Sequence, residues 1–149
     1  MKLSSKLEIE FSEPESGWLF VKIHFDDFNL EIGVSNIPSD PMVELCDTLI
    51  QINKGIQKPE IVIWHLEPYC YYLQLEKKEH DYIATILESD HYNSPKRVIK
   101  ELKGTYETII LPLYRGLKKF HTMPLREHQW AKLNENRVDL LTQLVRSKK

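Results

Sequence analysis

Two His-x-acid pairs are the first residues in this sequence whose types and spacing could do chemistry: His65-x-Glu67 and His24-x-Asp26. Alternate residues of a strand point the same way, so each pair would present nitrogen and oxygen donors on one face. If the two strands were neighbours, the four side chains could hold Zn²⁺ or a similar ion. Neither spacing is specific without a third anchor, since Ile61 and Ile63 share the face of His65 and Asp26 falls in a turn. Glu67 also has aromatic company in Trp64, Tyr69, Tyr71 and Tyr72. A carboxylate in an apolar pocket has its pKa raised and suits general acid or base work. Such work needs a second group at a defined place, and the sequence nominates none; before Pro68, Glu67 reads first as a turn residue.

The remaining candidates are weaker. His80-Asp81 and Asp90-His91 sit in polar connections, where adjacent residues have no fixed relation. His121 and His128 would align on a continuous helix, but Met123-Pro124 lies between them. Cys46 and Cys70 each sit in an apolar pattern and read as small buried residues of a reducing compartment rather than as a disulfide framework. Neither has a histidine at a telling spacing, and no G-x-S-x-G elbow, S-x-x-K or phosphate loop is present. No catalytic, cofactor-binding or metal-ligating residue is assigned, and no cofactor is expected.

These side chains must be positioned by a mixed set of elements. Leu7, Ile9 and Phe11 alternate with charged residues, and Leu19, Val21, Ile23 and Phe25 share one face of a strand with Trp18, Phe20, Lys22 and His24 on the other. Asp26-Asp27 breaks that run before Phe28, Leu30, Ile32 and Val34 resume it, so a hairpin is predicted. Asp40 as N-cap and Pro41 at the first helical position open a helix through Met42, Leu45, Cys46, Leu49 and Ile52, and Gly55 ends it. Strands follow at 60–66, 69–76 and 82–87, with a further one at 97–102. From Gly104-Thr105 a helix is predicted through Phe120 with a kink at Pro112, and a last helix spans 135–146. The fold class is therefore α+β, a single domain 1–149: an antiparallel β-sheet of about six to seven strands in two meanders, one helix between them and two C-terminal helices.

Composition excludes several classes. With 42% hydrophobic and 28% charged residues the chain is globular in type, and its five glycines are too few for a Gly-rich nucleotide loop. No apolar run reaches the ~20 residues of a membrane span, and the N-terminus lacks the apolar core of a secretory signal, so a cytoplasmic setting is expected. Charge is divided by position. Residues 1–90 carry 7 Lys/Arg against 17 Asp/Glu, a net of −10, and residues 91–149 carry 13 against 5, a net of +8. Either the halves neutralise one another within the fold, or a bipolar surface steers a charged partner. Lys96, Arg97, Lys100, Lys103, Arg115, Lys118 and Lys119, with Tyr106 and Tyr114 nearby, could line a nucleic-acid surface; a pI near 6.3 argues against it.

Gly17-Trp18-Leu19, Asp40-Pro41-Met42-Val43-Glu44-Leu45, Trp64-His65-Leu66-Glu67-Pro68 leading to Tyr71 and Leu73, and Trp130, in that order, resemble an uncharacterised family of small bacterial α+β proteins over about residues 17–145. Pro112 inside a helix departs from that pattern. Members look like the accessory and immunity-type proteins that are encoded beside bacterial toxins. The resemblance implies a protein partner and names no residue.

The reading at this stage is a non-enzymatic protein-interaction module of the immunity or accessory type. The alternative is a small metal-dependent or general acid/base hydrolase built on His65, Glu67, His24 and Asp26; the third is nucleic-acid binding through the basic C-terminal segment. The residues put forward for partner contact are Trp64, Glu67, Tyr71, Asp26 and Asp27. No membrane contact is expected, and a homo-oligomer stays open.

Overall fold

The computed structural model describes residues 6–126 and 129–148. Seven strands follow one another in a single antiparallel sheet: β1 Glu8–Phe11, β2 Trp18–Phe25, β3 Phe28–Ser35, β4 Glu60–His65, β5 Cys70–Lys78, β6 Asp81–Ser89 and β7 Arg97–Gly104. Helix α1, Pro41–Asn53, lies between β3 and β4; α2, Leu111–His121, and α3, Glu135–Arg146, come after β7. This is the α+β class expected from the patterning.

The local signals account for the elements. Burial in β2 alternates strictly: its odd residues are all apolar and buried, and its even ones, Trp18, Phe20, Lys22 and His24, are all exposed. Phe25 pairs with Phe28 across the two-residue Asp26-Asp27 tip, and Asp26 takes a φ of 56°, a left-handed conformation that short polar side chains tolerate. Asp40 caps α1: its Oδ1 accepts the backbone N–H of Met42 at 2.9 Å and of Val43 at 3.4 Å. The same oxygen accepts the indole N–H of Trp130 at 3.2 Å, so the cap also ties the fully buried Trp130 to α1.

Pro112 falls at a change of helical winding. The chain makes a five-residue π-helical turn, Tyr106–Ile110, and passes into α2 at Leu111 with Ile110 still in the right-handed helical conformation and no side chain capping the junction. Pro112 thus follows directly on a π-helical turn, where the ordinary i→i−4 ladder is already interrupted. Thr105 and Thr108 cap the π-helical turn reciprocally.

β3 and β4 meet at one residue pair, Ser35 with His65. Because the pairing is antiparallel, the rest of β4 runs on past the C-terminal end of β3, and the rest of β3 runs away in the opposite direction. The sheet is thus two staggered blocks, β1–β3 and β4–β7, sharing a corner. On one face α1 packs against β4 and β5, α2 against β1, and α3 against α1. Leu19, Val21, Val34, Val62, Trp64, Leu73, Leu75, Ala84 and Ile86 fill the space beneath them. Among the described residues no helix is long and apolar enough to cross a membrane.

Candidate protein-binding face

The corner gathers His65, Glu67, Cys70 and His91. The turn between β4 and β5 brings His65 opposite Cys70 in register, with Nδ1 of His65 3.6 Å from Sγ of Cys70. Glu67, which takes a φ of 58°, lines a cleft of about 370 Å³ with these two, Pro68, His91 and Tyr92. A thiolate–imidazolium pair would need Cys70 deprotonated and His65 protonated. Burial pushes the Cys70 thiol up and the His65 imidazole down, so both are held in their neutral forms. The geometry is that of a neutral hydrogen bond beside a cleft, not of an activated nucleophile. Among the described residues no three of His, Cys, Asp and Glu are arranged to hold a metal ion.

The structure separates the two His-x-acid pairs. His65 and Glu67 are at the corner, whereas His24 and Asp26 lie at the far end of β2, with β3 intervening. Nδ1 of His24 is engaged by the Asn29 side chain at 2.7 Å. The His80-Asp81 pair falls at the β5–β6 tip, and His128 lies outside the described residues.

The five residues put forward for partner contact are not one patch. Trp64 is 2% exposed and faces α1, so it is a core side chain with no surface to offer. Tyr71, opposite Trp64, is half-buried on the same face and stacks edge-on with Tyr69 at 5.4 Å. Glu67 is exposed at the corner; Asp26 and Asp27 are exposed at the distant hairpin tip.

The helix-free face differs between the two blocks. On β4–β7 the connection 90–96 folds back over the strands: the ring of Tyr92 lies 5.6 Å from that of His65, and Nζ of Lys96 sits 4.8 Å above the Tyr72 ring. Tyr72, Ile83, Thr85 and Ser89 are buried although no helix covers them. On β1–β3 none of the described connections folds back over the exposed rings of β2. Trp18 is 40% exposed and Phe20 63%. Phe20 lies over Gly33, its partner on β3, where an added Cβ would meet Cε1 of the ring at 3.1 Å. One face of this phenyl ring therefore covers backbone, and the rest is open.

Charge compensation divides the same way. Arg97 pairs with Glu88 at 3.3 Å and Asp90 at 3.1 Å, Lys103 with Asp81 at 3.5 Å, Arg137 with Asp47 at 2.9 Å, and His121 contacts Glu135 at 3.0 Å. Part of the acidic half is thus neutralised by the basic half, through carboxylates on β6, its following loop and α1. Among the described residues, the exposed Glu8, Glu10, Glu13, Glu15, Asp27 and Glu31 of the β1–β3 block make no ion pair. The basic residues form no single stripe either: Arg97 and Lys103 are held by carboxylates, Lys96 lies over Tyr72, and Nζ of Lys118 donates to Thr142 on α3.

No family profile matches the chain. No curated protein matches it. A chain of a solved structure described as the CdiA-CT/CdiI toxin and immunity complex from Enterobacter cloacae is similar over 78% of this chain and 99% of its own, at 12% identity and a TM-score of 0.47.

Two features of the site escaped the sequence reading. The His65–Cys70 pair is one: five residues apart with a four-residue turn between them, they face one another as soon as 60–66 and 69–76 form a hairpin. The other is which aromatics are open. Trp18 and Phe20 could be assigned by parity along β2, but β4 reads Glu-Ile-Val-Ile-Trp-His, apolar on both parities, so its pattern does not say which face Trp64 takes.

Proposed function

We propose that the protein is a non-enzymatic protein-interaction module that binds its partner on the helix-free face of β1–β3. In the narrower form of this reading it is an immunity or accessory protein of a bacterial toxin system, covering a cationic toxin surface. The observation that carries the proposal is Phe20, 63% exposed beside Trp18 on an open sheet face where Glu8, Glu10 and Glu31 outnumber the single Lys22 set across from them and make no ion pair among the described residues. Large aromatics on a wet face offer low-entropy anchors, and burying each is worth about 1–2 kcal/mol to a complex. Unpaired charge of one sign around them speeds encounter with a surface of the other sign.

The test is site-specific photocrosslinking in cells that naturally make the protein. A photoreactive phenylalanine replaces Phe20 in one variant and the equally exposed Val98, on β7, in another. The expected result is one stoichiometric adduct from position 20, absent from position 98, and lost when Trp18 is changed to Ala. Equal labelling at both positions, or no adduct at position 20 with the purified protein still folded, would overturn the reading.

A further inference from the structure

The stagger of the two blocks leaves a free strand edge next to the open face. β3 spends its N-terminal part, Phe28–Glu31, beyond the reach of β4, because the only pair between the two strands is Ser35 with His65. Backbone groups along a strand alternate between its two sides. Those of Phe28–Glu31 that do not serve β2 therefore have no strand among the described residues to receive them. The other edges of the sheet are managed differently. The part of β4 beyond β3 has Glu44 of α1 accepting its Ile63 N–H at 2.8 Å. β1 is only four residues long, and β7 carries Arg97, Lys100, Glu101 and Lys103 along its eight residues. Short strands and frequent charges both discourage pairing.

The side chains at this edge state what a neighbour should look like. Phe28 and Leu30 point to the core face and are only half-buried, since the packing that covers Ile32 and Val34 does not extend to them. Asn29 and Glu31 point to the open face and are exposed. Glu31 makes no ion pair among the described residues, and neither does Asp27 at the adjoining tip. A strand laid beside β3 would set its alternate side chains against these two rows.

We infer that the partner adds an extended segment to the free edge of β3 at Phe28–Glu31, and that this segment alternates cationic with apolar residues. Its Lys or Arg side chains lie on the open face against Glu31, Asp27 and the exposed ring of Phe20; its apolar side chains complete the cover of Phe28 and Leu30. Main-chain bonds supply the attachment and the alternating rows supply the selectivity. Carboxylates and aromatic faces both favour a guanidinium or ammonium group, so the two features of the open face point to the same chemistry. The inference rests on the interaction reading above and specifies how the partner is held.

The experiment uses the whole protein and a synthetic peptide of about ten residues alternating Arg and Val. Binding is followed by amide hydrogen exchange and by acrylamide quenching of Trp18, a clean reporter because Trp64 and Trp130 are 2% and 0% exposed. The expected result is exchange slowed on the order of tenfold at β3 residues 28–31, unchanged at β1 and β7, with Trp18 shielded from quencher. A peptide of the same composition in scrambled order, and one N-methylated at alternate residues, should each fail to produce that protection. Glu31→Lys should weaken binding by about three- to fivefold, the scale of a like-charge pair across strands. Protection at β1 or β7 instead, or equal binding by the scrambled or N-methylated peptide, would overturn the inference. The two proposals fail separately. A partner crosslinked at position 20 without protection of 28–31 removes strand addition alone, whereas protection without any adduct at position 20 removes the face.

Discussion

Cys70 illustrates how a suggestive pair is disarmed by its surroundings. The residue is 1% exposed and its sulfur is 3.6 Å from an imidazole nitrogen, yet burial favours the thiol over the thiolate that a cysteine nucleophile needs. Cys46 is pushed up to about 11 by the same cause. Both thiols should react with iodoacetamide at neutral pH at least about a hundredfold more slowly in the native protein than in urea. Fast labelling of Cys70 alone would mean that the corner opens, and would revive a thiol-based role. Asp40 is the contrasting residue, a carboxylate with three acceptor duties on one side chain. Asp40→Ala should cost about 2–5 kcal/mol in urea unfolding: roughly 1–2 for the lost cap and 1–3 for an indole N–H left buried without a partner. Asp40→Asn keeps an acceptor for either role and should cost less than half as much. The capping role was legible from Asp40-Pro41; the bond to Trp130, ninety positions away, was not, because nothing local encodes it.

Elements were legible wherever one period dominated. The strict alternation of β2, the caps of α1 and the bounds of α3 all followed from the residues themselves. The stretch after β7 was harder, since Ile109, Ile110, Leu113 and Leu117 keep helical spacing through Pro112 and hide the change from π-helical to α-helical winding at Leu111. The capping threonines mark where the helical run begins, at Tyr106, and no side chain marks the change of winding. The placement of α2 then depends on Gly116, where an added Cβ would stand 3.2 Å from Cγ2 of Ile9 and 3.2 Å from Cε2 of Phe11. This glycine sets how closely α2 approaches β1, the strand that borders the proposed face. Gly116→Val should destabilise by about 1–3 kcal/mol through overpacking against that strand. Its hydrogen-exchange signature should be confined first to β1 and β2, with β5 and β6 unchanged; uniform loss of protection would show that the two blocks do not unfold separately.

At the scale of the whole molecule the question is what holds two staggered blocks together when their strands share one residue pair. The helical layer does much of it, and two carboxylates at the start of α1 complete the seam. Asp40 binds Trp130, and Glu44 reaches from α1 to accept the backbone N–H of Ile63 on β4 at 2.8 Å, on the side of that strand where β3 is missing. No periodicity in the sequence reveals this, because the seam is a consequence of register between segments on either side of a helix. Burial at the seam raises the pKa of both carboxyls above their ordinary values, outweighing the hydrogen bonds they accept. An acid whose folded pKa is raised binds its proton more tightly in the native state. Its contribution to stability is therefore complete below the unfolded pKa and is lost as pH rises through the folded one. The unfolding free energy of the native sequence should accordingly fall relative to that of Glu44→Gln as pH is raised from about 4 to 7, since the amide keeps a neutral acceptor for Ile63 throughout. Urea midpoints of the two proteins at matched pH give the difference directly. A gap that stays constant over that range would mean that Glu44 is as well solvated as any surface carboxylate, and that the seam between the blocks is open to water.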